Sequence, residues 1–333
     1  MSHFSVCTIV PSTYNGSKLS ILDAPIRLDE LMEPFDEAST SPYYTEFVDR
    51  TEDAKDEFEH GTVHAVKDET GKILTEIDDD FHKRFTVQSG KVMLKGNTYK
   101  DPAEELTEGL EAIPDYPLKK LYENFDQFCR EYYGYRKNSE GKFGFVHNPH
   151  AAWDWYEIGG RFSGALLVKA DLMEIFPVTE GNPNDMIMGD FRRVNGARKK
   201  DICWDEMLRR RIESAKLTFP KLEEAFRTGN AEDLGPLTSV TENGIESWGD
   251  LIYSKGESLE EFMRRYGADN TQKYCIGSYA MIDIYGDWHS RGHMGWWGMS
   301  TGDKPEEEWK NEIQGLIDEA DDDDFIIMID CHI

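Results

Sequence analysis

Two stretches of this chain concentrate side chains that could do chemistry. The first is Trp153-Asp154-Trp155-Tyr156 followed by Gly159-Gly160-Arg161-Phe162. The second is Trp288-His289-Ser290-Arg291-Gly292-His293 followed by Met294-Gly295-Trp296-Trp297-Gly298. Five of the eight tryptophans fall in these segments, which argues that they form one locus. Guanidinium forks suit phosphate or carboxylate, aromatic faces suit a stacked ring, and glycines let backbone approach a ligand closely. On this reasoning Trp153, Asp154, Trp155, Tyr156, Arg161, Trp288, His289, Arg291, Trp296 and Trp297 are expected to line one pocket for a small anionic, ring-bearing ligand of the nucleotide kind. The competing reading is that the tryptophans pack the core and Arg161 pairs with Asp154. Neither a Walker loop nor a GxGxxG turn is present, and a Gly-Gly pair alone carries little specificity.

A second constellation lies at the chain ends. Asp330 and His332 stand two apart in an apolar run, so a strand there places them on one face. His3 opens another apolar run, and Asp283 interrupts a third. If these strands are neighbours, two imidazoles and two carboxylates meet, the donor mix that binds a divalent metal and supports metal-assisted hydrolysis of a phosphate ester. No HExxH-type spacing supports the set, and a polar pair satisfied by hydrogen bonds is the competing reading. His289 and His293, four apart around Gly292, read as turn residues, one of which could serve as a general acid or base. Cys331 alternates to the face opposite Asp330 and His332, which argues against a Cys-His nucleophile.

The elements that would position these groups follow from periodicity. Phe4 to Val10 reads as a buried strand closed by Pro11, and Phe325 to Ile333 as a central strand covered on both faces. Tyr274 to Tyr285 alternates as a strand, and Gly286-Asp287 turns it into the second aromatic segment as a hairpin. Helices are expected over Leu118 to Tyr133, Trp204 to Phe219 and Glu306 to Ala320, with a short one opened by the capping box of Ser258 and Glu261. Glu180 to Gly196 reads as a long surface loop. The expected fold is α+β: an antiparallel or mixed central sheet with packed helices and both terminal strands internal. We expect a single domain over residues 1–333, with 23–110 an acidic elaboration or small lobe.

The net charge of −28 is uneven. From Asp23 to Asp80 there are nineteen acids against five bases. Such a surface disfavours direct binding of nucleic acid and of anionic membrane, although it could imitate DNA toward a partner protein. From Phe191 to Lys221, ten Lys or Arg face four acids. Within it Arg209 to Arg211 read as a solvated helix face, paired i,i+4 as Glu206 with Arg210 and Arg209 with Glu213. Five dispersed cysteines without a CxxC pair read as reduced thiols. With no basic leader and no apolar span, the expected setting is cytoplasmic.

The opening Met1-Ser2-His3-Phe4-Ser5-Val6 combines with Trp153-Asp154-Trp155-Tyr156, Gly159-Gly160-Arg161-Phe162, Arg291-Gly292, Met294-Gly295-Trp296-Trp297-Gly298 and the closing Asp330-Cys331-His332-Ile333. This combination resembles a family of bacteriophage and prophage proteins to which no activity is attached. Phe162 stands where that pattern more often has Trp, and His293 where it more often has an acid. The resemblance implies a phage-encoded accessory protein acting in the host bacterial cytoplasm. Three functions are open from the sequence: binding a small anionic ligand to modulate a host system, metal-assisted phosphate-ester hydrolysis, and acidic mimicry of nucleic acid toward a host protein.

Overall fold

The apolar runs at the two ends of the chain pair with each other along their whole length. His3 lies opposite His332 and Val10 opposite Phe325, in antiparallel register. The computed structural model describes residues 2–96, 102–178, 187–235, 237–247, 250–268, 272–295 and 299–333. It divides into two compact units, residues 1–39 with 150–333, and residues 40–149. The acidic stretch 23–110 is divided between the two. Ala24–Met32 packs on the core of the first unit, and the second continues past 110 to Pro149.

In the first unit the elements that matter are β1 (His3–Val10), α1 (Ala24–Met32), β2 (Trp155–Ile158), β3 (Ile175–Phe176), β4 (Gly196–Arg198), α2 (Trp204–Thr228), β5 (Ala280–Ile282), β6 (Trp288–Ser290), α3 (Glu306–Glu319) and β7 (Phe325–His332). The strands order as β3-β4-β7-β1-β5-β6, and β2 pairs with β7 beyond β4 on the same edge. β1 and β5 run parallel and every other pair antiparallel, so the sheet is mixed and both terminal strands are internal. This is an α+β fold, as the periodicity implied.

Strand alternation sends two apolar sets to opposite faces. Phe4, Val6, Val10, Phe325, Ile327, Ile329 and Cys331 meet α1 through Leu28, Leu31 and Met32. Cys7, Ile9, Ile326 and Met328 meet α3 through Trp309, Ile313 and Ile317. Each fully buried aliphatic side chain contributes about 1.5–3 kcal/mol relative to exposure, which is why β7 can be apolar on both sides. The α3-side core stops short of the His3 and His332 end, and polar groups occupy that face there.

Several boundaries differ from expectation. α2 continues through Pro220 to Thr228, where Gly229 in the left-handed region ends it. The strand expected from Tyr274 shrinks to Ala280–Ile282; the Tyr274 N–H and carbonyl bond the Gln314 side chain and not a neighbouring strand. The capping box of Ser258 with Glu261 is present.

The second unit has a three-stranded sheet with Thr62–Lys67 between Ile73–Thr75 and Glu111–Pro117, and another joining Arg136–Lys137, Phe143–His147 and Glu46–Asp49. The helix expected over 118–133 is only Phe125–Glu131. Asn124 caps it by accepting from the Gln127 N–H, and a 3-10 turn, Leu118–Lys120, precedes it. Its aromatic stripe is core, as expected. No helix among the described residues is long and apolar enough to cross a membrane.

Candidate active site

Register alone builds the first row of the site. Trp155 on β2 lies opposite His332 on β7, which lies opposite His3 on β1. One strand step further along, Glu157, Asp330 and Ser5 form a second row on the same face. The rings of the first row are in contact. Trp155 stacks on His332 with centroids 5.2 Å apart at 16°, and His3 stands edge-on to both, 5.1 Å from His332 and 5.3 Å from Trp155.

Each imidazole is held by one carboxylate. His332 Nδ1 lies 2.6 Å from Asp154 Oδ1, and His3 Nδ1 lies 3.0 Å from Asp330 Oδ1. An ionised carboxylate only accepts, so both Nδ1 atoms donate, and in the neutral ring Nε2 keeps the lone pair. The other oxygen of Asp330 accepts the Arg161 N–H at 2.9 Å. Asp330 is 2% and His332 5% exposed, whereas Trp155 is 44% exposed. His332 Nε2 is buried with no hydrogen-bond partner among the described residues. A buried imidazole nitrogen left open costs stability, and a site that retains one is a candidate for proton transfer.

The Gly159-Gly160 break lets the backbone pass close to Asn195 and Asp330. Both glycines have positive φ, +78° and +43°. A methyl group on Gly160 would sit 2.5 Å from Cβ and Oδ2 of Asp330, and one on Gly159 would sit 2.2 Å from the Asn195 amide. Asn195 Oδ1 accepts from Ser163 Oγ and the Gly164 N–H, and its amide donates to the Pro177 and Ile158 carbonyls. Asn195 thus fixes the turn that places the Arg161 N–H on Asp330. Sequence reasoning missed it, because Asn195-Gly196 reads as loop punctuation. The same holds at Gly292, where a methyl group would meet Asp303 at 2.1 Å.

The expected aromatic pocket does not assemble as drawn. β2 and β6 are separated in the sheet by β7, β1 and β5, four strand spacings or ~19 Å. Trp153 is buried and donates Nε1–H to the Met32 carbonyl, and its ring stands edge-on to Tyr156. The Tyr156 hydroxyl bonds Asp29, and burial together with that carboxylate pushes the phenol far above its ordinary value. Trp288 packs on Phe4 and Phe35. These three rings belong to the α1-side core. Arg161 is exposed and Asp154 pairs with His332, so the Arg161–Asp154 alternative is replaced as well. Trp296 and Trp297 lie outside the described residues.

The expected metal set comes together only in part. β1 and β5 are neighbours, but their parallel register puts Ile282 opposite Thr8, so Asp283 falls six residues from His3, ~20 Å along the strand. Asp283 instead meets His289 Nε2 at 3.0 Å and accepts the Tyr285 and Asp287 N–H groups. His289 Nδ1 lies 3.4 Å from Glu312 of α3. Among the described residues no three His, Cys, Asp or Glu side chains are grouped so as to hold a metal ion. His293 is exposed and apart from both sets.

A cavity of about 440 Å³ opens on the same sheet face at Ser5, lined also by Arg211, Tyr279, Arg291, Trp309 and Lys310. No family model, curated protein or solved structure matches the chain.

Proposed function

We propose that the chain is an acid–base enzyme that cleaves a phosphate ester, with His3 and His332 as the proton-transfer pair. The observation that supports it is two imidazoles 5.1 Å apart, each held at Nδ1 by its own carboxylate. That arrangement engages neither Nε2 atom with a carboxylate and fixes the direction of both rings, as general acid–base catalysis requires.

The step is balanced by the pair alone. Neutral His332 takes the proton from the attacking hydroxyl or water as the new O–P bond forms. His3, protonated at Nε2, gives that proton to the leaving oxygen as the old P–O bond breaks. Solvent exchange then restores both rings. Asp154 and Asp330 are positioning residues: they hold the tautomer and favour each imidazolium as it forms. Trp155 stacks on the face of the His332 ring and Nε2 is enclosed, so the proposed step requires the cluster to open for substrate.

The test is turnover of bis(p-nitrophenyl) phosphate, p-nitrophenyl phosphate and 2′,3′-cyclic nucleotides, each with and without EDTA. The expected result is turnover of at least one that persists in EDTA and is lost in His332→Asn. Absence of turnover across this panel, or equal turnover by His332→Asn, overturns the proposal. Turnover abolished by EDTA returns the role of His3, Asp330 and His332 to metal ligation.

A further inference from the structure

The cavity at Ser5 is walled by cations although the chain as a whole carries −28. Arg211 comes from α2, Arg291 from the turn after β6, and Lys310 from the first turns of α3. Their charges are not equally spent. Lys310 is bound to Glu306 at 2.7 Å and to the Arg265 carbonyl at 2.8 Å. Arg291 Nε is ion-paired with Asp303 Oδ2 at 3.4 Å, but it is a buried donor with no hydrogen-bond partner among the described residues. Arg211 makes no ion pair among the described residues. It also walls an adjoining cavity of about 220 Å³, shared with Arg193, Arg210 and Tyr266. Glu306 is the acid on the lining of the larger space.

Two guanidiniums with donors to spare, approaching from different elements, suit an acceptor with several oxygens spread over more than one centre. Tyr279 and Tyr266 supply ring surface beside them. The volume is that of a nucleotide-sized site and exceeds what a lone carboxylate fills. Ser5 places this space one strand step from His3, and directly across from Asp330.

We propose that the cavity binds the phosphate chain of a nucleoside polyphosphate, with Arg211 and Arg291 as its phosphate clamps. It names the substrate class of the acid–base site and rests on that reading for catalysis, while the binding stands independently. The ester bond next to the held phosphates is the one presented toward His3.

The experiment is calorimetric titration of the full chain with inorganic triphosphate, ATP and citrate, at two salt concentrations. The expected result is binding of triphosphate, tighter binding of ATP, and weaker binding of citrate. Arg211→Gln and Arg291→Gln each lose about tenfold or more in affinity, as expected for a charge-assisted phosphate contact. Lys221→Gln, on the same helix but away from the cavity, serves as the charge control and binds normally. Arg211→Lys is measured beside Arg211→Gln, with thermal melts of both, so that a folding defect is separated from a lost contact. No binding of triphosphate or ATP at millimolar concentration overturns the proposal. So does citrate binding as tight as triphosphate, or unaltered affinity in the Arg211→Gln/Arg291→Gln double variant. His332→Asn distinguishes the two readings. Arginine-dependent ATP binding without turnover by any form keeps the cavity and removes the catalytic pair. Turnover lost with His332 but indifferent to both arginines does the reverse.

Discussion

Two histidine–carboxylate sets sit at opposite ends of β1 and use the same residue types differently. At one end His289 lies between Asp283 at Nε2 and Glu312 at Nδ1, so both ring nitrogens face acids of the protein. Glu312 is further bound to Lys304 at 2.6 Å, and Asp283 to two backbone N–H groups. That set fastens the β5–β6 hairpin to α3. At the other end His3 and His332 are each tied at Nδ1 only, and the free nitrogen of His332 is enclosed and unsatisfied. A histidine with both nitrogens engaged is a brace, whereas one held by a single carboxylate is oriented and still able to exchange a proton. Counting histidines and acids would rank the two sets alike. The number of nitrogens left over separates them.

The sharpest way to break this distinction is to remove one ring from each set. His332→Asn should lower turnover about 10²–10⁴-fold, the usual worth of a general acid or base. It should leave the melting temperature nearly unchanged, since its partner Asp154 is already partly solvated, with a side chain 38% exposed. If His332→Asn instead unfolds the protein while turnover per folded molecule is normal, both sets are braces.

Gly160→Ala tests whether the backbone truly serves Asp330. The residue holds φ at +43°, and its new methyl group would meet the Asp330 carboxylate at 2.5 Å. The strained backbone alone costs about 1–3 kcal/mol, and displacing Asp330 should add a loss of turnover. Chemical denaturation measures the first and the phosphate-ester assay the second. A stable Gly160→Ala protein with normal turnover would show that Asp330 need not be held by the Arg161 N–H.

His289→Asn should have a smaller and purely structural effect. It leaves Asp283 with its backbone donors and Glu312 with Lys304, so the expected destabilisation is about 1–2 kcal/mol with turnover intact. A loss of turnover comparable to that of His332→Asn would mean that the brace is part of the site.

What could be read from the sequence follows the range of the rule used. Alternation placed Asp330 and His332 on one face with Cys331 on the other, and apolar runs identified the two terminal strands as internal; these depend on near neighbours. Register between distant strands is not encoded locally. His3 and Asp283 both stand on or beside paired strands, yet parallel pairing separates them, whereas antiparallel pairing of β1 with β7 joins His3 to Asp330. Composition failed in a different way. Trp153, Trp155 and Tyr156 are adjacent and look alike, but the extended backbone sends Trp155 to the histidines and Tyr156 to the α1-side core, with Trp153 just before the strand. The Asp154–His332 contact joins residues 178 apart, and nothing in either neighbourhood marks it.

The smallest expected effect bears on the same strand. Cys331 lies between two site residues in sequence, but its side chain is fully buried on the α1 face with Phe4 and Ile329. Burial, helped by the charge of Asp330, holds its thiol well above the ordinary cysteine value, so it stays protonated and unreactive at neutral pH. Native protein should therefore resist iodoacetamide at Cys331, read by mass spectrometry of the C-terminal peptide. Cys331→Ala should leave turnover unchanged within about twofold, because the lost atoms face away from both imidazoles. The substitution vacates only a small volume, so its stability cost should be about 1 kcal/mol. Rapid alkylation of Cys331 would mean that β7 exposes the opposite face. His332 would then point into the core, and the contrast between an oriented and a braced histidine would fail at its geometric root.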